Sequence, residues 1–252
     1  MNLDKIFQEE DLFPREFAAY EKRDYGLLFY DETNKDSYDS NHAVIFKEKI
    51  EDLDVALQDV TQFYRSKCLA PILYQAMADE GFFAEQAEVF ARHGFRVWEE
   101  EQRFMVPTEE NRLVPNPDIM VKRVTEWEEA FATEIFEKAE EPWEIEVAKK
   151  MIKNPNTMFF AAYYKDHPVG MTYGHERDGV CRYDYILVSK ECRRIGVARA
   201  LMNALVEYCR TQGIKDCSLW PAGESAERIY EEAGFRVVAE KKAGRAATEK
   251  SF

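Results

Sequence analysis

The sequence predicts an α/β chain built from two similar halves in tandem. Three observations carry this. Residues 183–200 pass from an apolar strand through a glycine-containing turn into an amphipathic helix. Val89–Val97 and Ile229–Val237 share one pattern, aromatic-x-x-x-Gly-Phe-Arg-Val, with Phe90 and Tyr230 140 positions apart. A polar segment with three prolines (Pro107, Pro115, Pro117) separates two blocks in which strand-like and helix-like stretches alternate.

The chain has 252 residues, enough for one large domain or two ordinary ones, and its 46% hydrophobic content, with 17 Phe, 13 Tyr and 4 Trp, can form a substantial core. A net charge of −14 argues against broad binding to nucleic acid or anionic membranes. No apolar run approaches the roughly 18–20 residues of a membrane span, and Met1–Glu10 has no signal-peptide core, so the expected location is the cytoplasm. Five cysteines without a C-x-x-C pair, and four scattered histidines, point to free thiols and to no metal centre. The familiar P-loop, dinucleotide and serine-hydrolase motifs are absent.

In order, residues 1–23 suggest one or two short helices, Tyr25–Tyr30 and Ala43–Phe46 strands, and Asp31–Asn41 a loop. Ile50–Tyr64 places Leu53, Leu57, Val60 and Tyr64 on one helical stripe; Pro71–Met77 is a strand, Phe83–His93 a helix closed by Gly94, and Phe95–Val106 a strand. Thr108–Pro117 is expected to be a linker, dividing the chain into domains at 1–110 and 118–252.

The second half restarts with a strand at Ile119–Val124, then helices over Glu126–Ala139 and Glu144–Lys153. Met158–Tyr164 is uniformly apolar, as in a strand buried on both faces, and Val169–Glu176 and Val180–Val188 continue the meander. Then comes Arg193-Arg194-Ile195-Gly196-Val197-Ala198. Val197, Ala200, Leu201, Ala204, Leu205 and Tyr208 mark one face of the following helix. Unpaired N–H groups in the first turn of such a helix, with its dipole, favour phosphate; Gly196 and the small Ala198 keep the approach open. Cys217–Trp220, Glu224–Ala233 and Phe235–Glu240 end the chain as strand, helix and strand.

The halves differ where chemistry would matter. Lys47–Asp52, before the helix of the first half, has no glycine and carries acid in the place of a phosphate, and Phe90 stands where the second half has Tyr230. The first half is therefore expected to be structural or substrate-shaping.

The turn Arg193-x-x-Gly196-x-Ala198 after Val188 resembles the acyl-CoA pyrophosphate loop of the GCN5-related N-acetyltransferases, R/Q-x-x-G-x-G/A after the fourth strand. Ala226-x-x-x-Tyr230-x-x-x-Gly234-Phe235 resembles that family's late helix and its general-acid tyrosine. The resemblance covers about residues 118–240 and departs at Gly223, where many members carry asparagine. It implies a mixed, mostly antiparallel central sheet flanked by helices, here as a tandem pair with a degenerate first copy. It also implies acetyl-CoA as acyl donor, held by residues 193–198, with the Val188 N–H polarising the thioester carbonyl and Tyr230 protonating the departing thiolate.

A base or water chain must also take the amine proton. Asp184 is the first candidate, since residues 184, 186 and 188 share one face of a regular strand, and Glu176 is the second. Cys181 and Cys192 lack a neighbouring histidine, so direct transfer in a ternary complex is expected over an acyl-cysteine route. The resulting expectation is an acetyl-CoA-dependent N-acetyltransferase acting on a small-molecule or peptide amine, as monomer or homodimer; the alternatives are a catalytically silent acyl-CoA sensor or scaffold and a purely structural α/β protein.

Overall fold

A computed structural model describes residues 2–248. It resolves into two compact units, one made of residues 2–102 and 240–248, the other of Arg103–Ala239.

In the first unit, α1 (Leu3–Leu12) is capped by the Asn2 side chain. It leads to the hairpin β1 (Ala19–Arg23) and β2 (Gly26–Tyr30), so the tail of the stretch expected to be helical is a strand. β3 (Ala43–Ile45), α2 (Leu53–Ser66), β4 (Ile72–Gln75), the short helices α3 (Phe82–Glu85) and α4 (Ala87–Arg92), and β5 (Phe95–Pro107) follow. Leu57, Val60 and Tyr64 on α2 are fully buried, as their spacing predicts, and pack with Leu28, Ile45, Leu73 and Phe90.

The second unit contains β6 (Ile119–Arg123), a helical turn α5 (Glu129–Phe131) that widens into a π-helix over Ala132–Glu137, and α6 (Ile145–Met151). The helix expected over Glu126–Ala139 is thus short and irregular. The antiparallel meander β7 (Thr157–Tyr164), β8 (His167–Arg177) and β9 (Val180–Val188) forms the centre of the sheet, with β7 almost wholly buried. α7 (Val197–Gln212), β10 (Cys217–Ser218), α8 (Glu224–Glu232) and β11 (Phe235–Thr248) complete the order. The sheet runs β10-β9-β8-β7-β6, antiparallel except where β10 pairs with β9. Val197, Ala200, Leu201 and Leu205 of α7 are buried against it, with glycines at 170 and 174 beneath: a Cβ on Gly170 would fall 2.9 Å from Val197 and 2.7 Å from the Leu187 carbonyl.

The unit boundaries differ from the expected break at residues 110–118. β11 does not stop near Glu240; it runs on, and Arg245, Ala246 and Ala247 pair with Tyr74, Leu73 and Ile72 of the first unit's sheet, ordered β1-β2-β3-β4-β11-β5. The end of β5 belongs to the second unit, where Met105 and Leu219 exchange backbone hydrogen bonds of 2.8 and 3.1 Å. The expected linker is likewise ordered in the second unit. The N–H groups of Thr108 and Glu109 donate to the Gly234 carbonyl, that of Arg112 donates to the Glu232 carbonyl, and Leu113 is buried in the core. The proline and polar composition that signals a linker reports only that the segment is neither helix nor alternating strand; its partners come from elsewhere in the chain.

Candidate active site

The turn between β9 and α7 combines three backbone features. Lys190–Cys192 makes a single 3₁₀ turn, Arg194 takes a left-handed conformation at φ +66°, and Gly196 follows at φ +97° as the residue before α7. Gly196 has no side chain to cap the helix, and the first intrahelical bond is Ala200 N–H to the Gly196 carbonyl at 3.0 Å. The preceding amides of the first turn are left for an outside acceptor. Arg193 and Arg194 are exposed beside them. At the corresponding helix of the first unit the Asp52 side chain accepts the Val55 N–H at 3.2 Å. That helix start is already occupied by a carboxylate of its own. The difference between the halves is therefore physical as well as compositional.

Asn116, which the sequence places only in the linker, braces the turn: its Nδ2 donates to the Ile195 carbonyl at 2.8 Å, and its Oδ1 accepts the Asp118 N–H at 3.0 Å. Its Cβ lies 3.2 Å from where a Cβ on Gly196 would sit. A larger residue at 196 would meet both a disfavoured φ and this contact.

Val188 sits at the mouth of a wedge. Ser189 donates its N–H to the Val169 carbonyl at 2.9 Å, which makes Val188 and Gly170 a non-hydrogen-bonded pair. The Val188 N–H consequently points to the opposite edge of β9, the side on which β10 lies. β10 pairs with β9 only at Cys181–Cys217 and Arg182–Ser218, so the two strands have parted before Val188. A strand-edge amide that faces such a gap can donate to a carbonyl oxygen.

The expectation that residues 184 and 188 share a face is corrected by the structure. Met171 pairs with Leu187 but Tyr173 with Asp184, so β9 holds one extra residue, and Tyr185 is left-handed at φ +48°. This is a β-bulge, which inverts the alternation beyond it. Asp184 opposes Tyr173 while Val188 opposes Gly170, and the two project from opposite faces. The Asp184 carboxylate is engaged: it pairs with Arg182 at 2.5 Å, accepts the Tyr173 hydroxyl at 3.0 Å, and accepts the Tyr185 N–H at 3.0 Å. Glu176 pairs with Cys181, six residues along β8 from Gly170, about 20 Å away at strand spacing.

Tyr230 lies half-buried on α8 and, like Ile186, Val188 and Ile195, packs against the buried core of the second unit. Burial, with the Asp184 charge nearby, pushes its hydroxyl up to about 12. α8 begins at Gly223, whose φ of +127° only glycine adopts without strain; this is the position of the departure from the family pattern. Its far end is fixed by a two-bond pair in which Arg199, in the first turn of α7, donates to Glu232 at 3.0 and 2.5 Å. Both side chains are about 40% exposed, so the pair contributes at most about 1 kcal/mol; its importance is that it joins the phosphate-type turn to the helix of Tyr230. Val188, Ile195 and Tyr230 all pack against the core of the second unit, and Asp184 lies on the opposite face of β9 from Val188.

A family model described as the acetyltransferase (GNAT) family matches residues 121–235. No curated protein matches the chain. Among solved structures, a GCN5-related N-acetyltransferase from Kribbella flavida aligns with a TM-score of 0.61 at 14% identity, covering 97% of this chain and 95% of its own. One from Sphaerobacter thermophilus aligns at 0.57 and 15% identity, over 92% and 84%. A tandem GNAT protein from the clavulanic acid biosynthesis pathway aligns at 0.56 and 9% identity, over 82% and 74%. At these identities the structural likenesses show the fold: a mixed α/β architecture of two mostly antiparallel sheets flanked by helices, with a GNAT-like first half. The family match assigns residues 121–235 to a GNAT-family domain, and the structural likenesses agree with that fold.

Proposed function

We propose that the Arg103–Ala239 unit binds acetyl-CoA and passes its acetyl group directly to a primary amine. The observation that carries this is the uncapped first turn of α7 behind the Arg193–Ala198 turn, set beside a strand-edge amide at Val188. Acetyl-CoA supplies an activated acyl group as a thioester. The amides of residues 194–198, with Arg193 and Arg194, hold the pyrophosphate. The Val188 N–H donates to the thioester carbonyl oxygen and stabilises the charge that builds on it as the amine attacks. Tyr230 donates its proton to sulfur as the carbon–sulfur bond breaks. With its pKa raised, the phenol stays protonated at neutral pH. Asp184, committed to Arg182, Tyr173 and the bulge, acts by holding Tyr185 and hence the register of Val188; the amine loses its proton to water.

Calorimetry tests the binding step. One acetyl-CoA per chain is expected, because the first unit's helix start is closed by Asp52. Gly196→Val should weaken affinity tenfold or more, about 1.4 kcal/mol. Two sites per chain, or unchanged affinity in the variant, contradicts the assignment. Thiol release with a panel of amines then separates an enzyme from a silent acyl-CoA binder.

A further inference from the structure

Three cysteines distant in sequence meet in the core of the second unit. Cys181 on β9, Cys209 in the last turn of α7 and Cys217 on β10 are all buried, and their sulfur atoms lie within 4.8 Å of one another. Cys181 and Cys217 are register partners on adjacent strands, and Cys209 reaches the same point from the helix face that packs on the sheet. Gly174, on the next strand, leaves the space: a Cβ there would stand 3.2 Å from the Cys181 sulfur. Three thiolates around one ion, each about 2.3 Å from it, stand about 4 Å apart. The trio therefore needs little movement to close on an ion.

We propose that Cys181, Cys209 and Cys217 form a three-thiolate site for a soft divalent metal ion of the zinc–cadmium class. Thiolate sulfur selects such ions over the hard cations that prefer oxygen. The Tyr183 hydroxyl hydrogen-bonds the Cys209 sulfur. Tyr183 then serves as the outer partner that hydrogen-bonds a ligating sulfur and offsets the single negative charge of a divalent ion with three thiolates. The position has a consequence for the fold. Cys181 and Cys217 lie where β9 and β10 are still paired, at the root of the wedge that opens toward Val188, and Cys209 belongs to the helix that begins at the phosphate-type turn. An ion there would tie these three elements together.

The test uses the full chain with cadmium chloride in a buffer reduced by a phosphine, and requires no acyl-transfer activity, so it stands or falls apart from the proposed function. Cadmium should bind with one equivalent, produce an ultraviolet thiolate-to-cadmium charge-transfer band, and raise the melting temperature. The band should persist in Cys68→Ser/Cys192→Ser, which keeps the trio, and vanish in Cys209→Ala. X-ray absorption at the cadmium edge on the unmutated chain should show three sulfur neighbours, a readout independent of whether any variant folds. Absence of the band from the unmutated chain, its survival in a folded Cys209→Ala chain, or a shell dominated by oxygen overturns the proposal.

Discussion

Asp184 accepts the backbone N–H of its immediate neighbour Tyr185 at 3.0 Å, and Tyr185 stands in the left-handed region at φ +48°. A bulky residue rarely adopts that conformation without support. The bond supplies the support, and with it the extra residue that turns Val188 to the face opposite Asp184. If Asp184 acts by position, Asp184→Asn, which keeps an oxygen for the Tyr185 N–H, should retain turnover within about tenfold, although it loses the Arg182 pair and some stability. Asp184→Ala should lose about two orders of magnitude, the scale of one missing oxyanion donor. Steady-state kinetics on both variants decides: equal, deep losses would instead mark Asp184 as the base.

Tyr230→Phe should keep acetyl-CoA affinity and lower turnover by about two orders of magnitude, as for a lost general acid. The pH profile is a second check. The folded-state pKa is raised from the ordinary 10 to about 12, so the neutral phenol is favoured in the fold; its contribution is present below pH 10 and is lost as pH rises from there through about 12. The unmutated enzyme should accordingly show no loss of turnover with a midpoint near pH 10 that disappears in Tyr230→Phe.

Asn116→Ala removes the bond to the Ile195 carbonyl without touching the proposed reacting atoms. A net hydrogen bond of about 1 kcal/mol predicts a roughly fivefold rise in KM for acetyl-CoA with kcat little changed. A fall in kcat at constant KM would contradict a bracing role for Asn116.

Gly94 and Gly234 end corresponding helices with similar backbone angles, φ +78° and +92°, yet should differ in tolerance. A Cβ at 94 meets nothing within 4 Å, so Gly94→Ala carries only the left-handed penalty, about 1 kcal/mol. A Cβ at 234 would lie 2.3 Å from the Glu109 carbonyl oxygen, so Gly234→Ala should cost about 2 kcal/mol or more by displacing the 108–110 segment. Denaturant unfolding of the two variants measures the difference.

A chain beginning at Pro115 should fold poorly. It lacks Met105 and Leu113 from the core, the partner of Leu219, and the donors to the Gly234 and Glu232 carbonyls. A chain spanning Arg103–Ala239 keeps all of these. Circular dichroism and thermal melting of the two should show a cooperative transition in the longer one and a lower or absent one in the shorter.

What the sequence determined by itself was local. The 3.6-residue spacing of Val197, Ala200, Leu201 and Leu205, the glycine before it and the apolar run over 158–164 fix their own conformations through nearest-neighbour sterics and burial, and the strand–turn–helix arrangement followed from them. The repeat also located Tyr230 and showed which half lacks the turn. Tertiary structure alone decided the rest. The bulge at Tyr185 depends on register against β8, which no alternation rule over residues 183–188 contains. Asn116 and Met105 acquire their roles from partners 79 and 114 positions away, Ile195 and Leu219, across a segment whose composition reads as linker. Cys181, Cys209 and Cys217 have no metal-ligand spacing and become a cluster only when two strands and a helix pack together. Sequence separation carries no record of such contacts, because they form by packing of surfaces that are each satisfied locally in several ways.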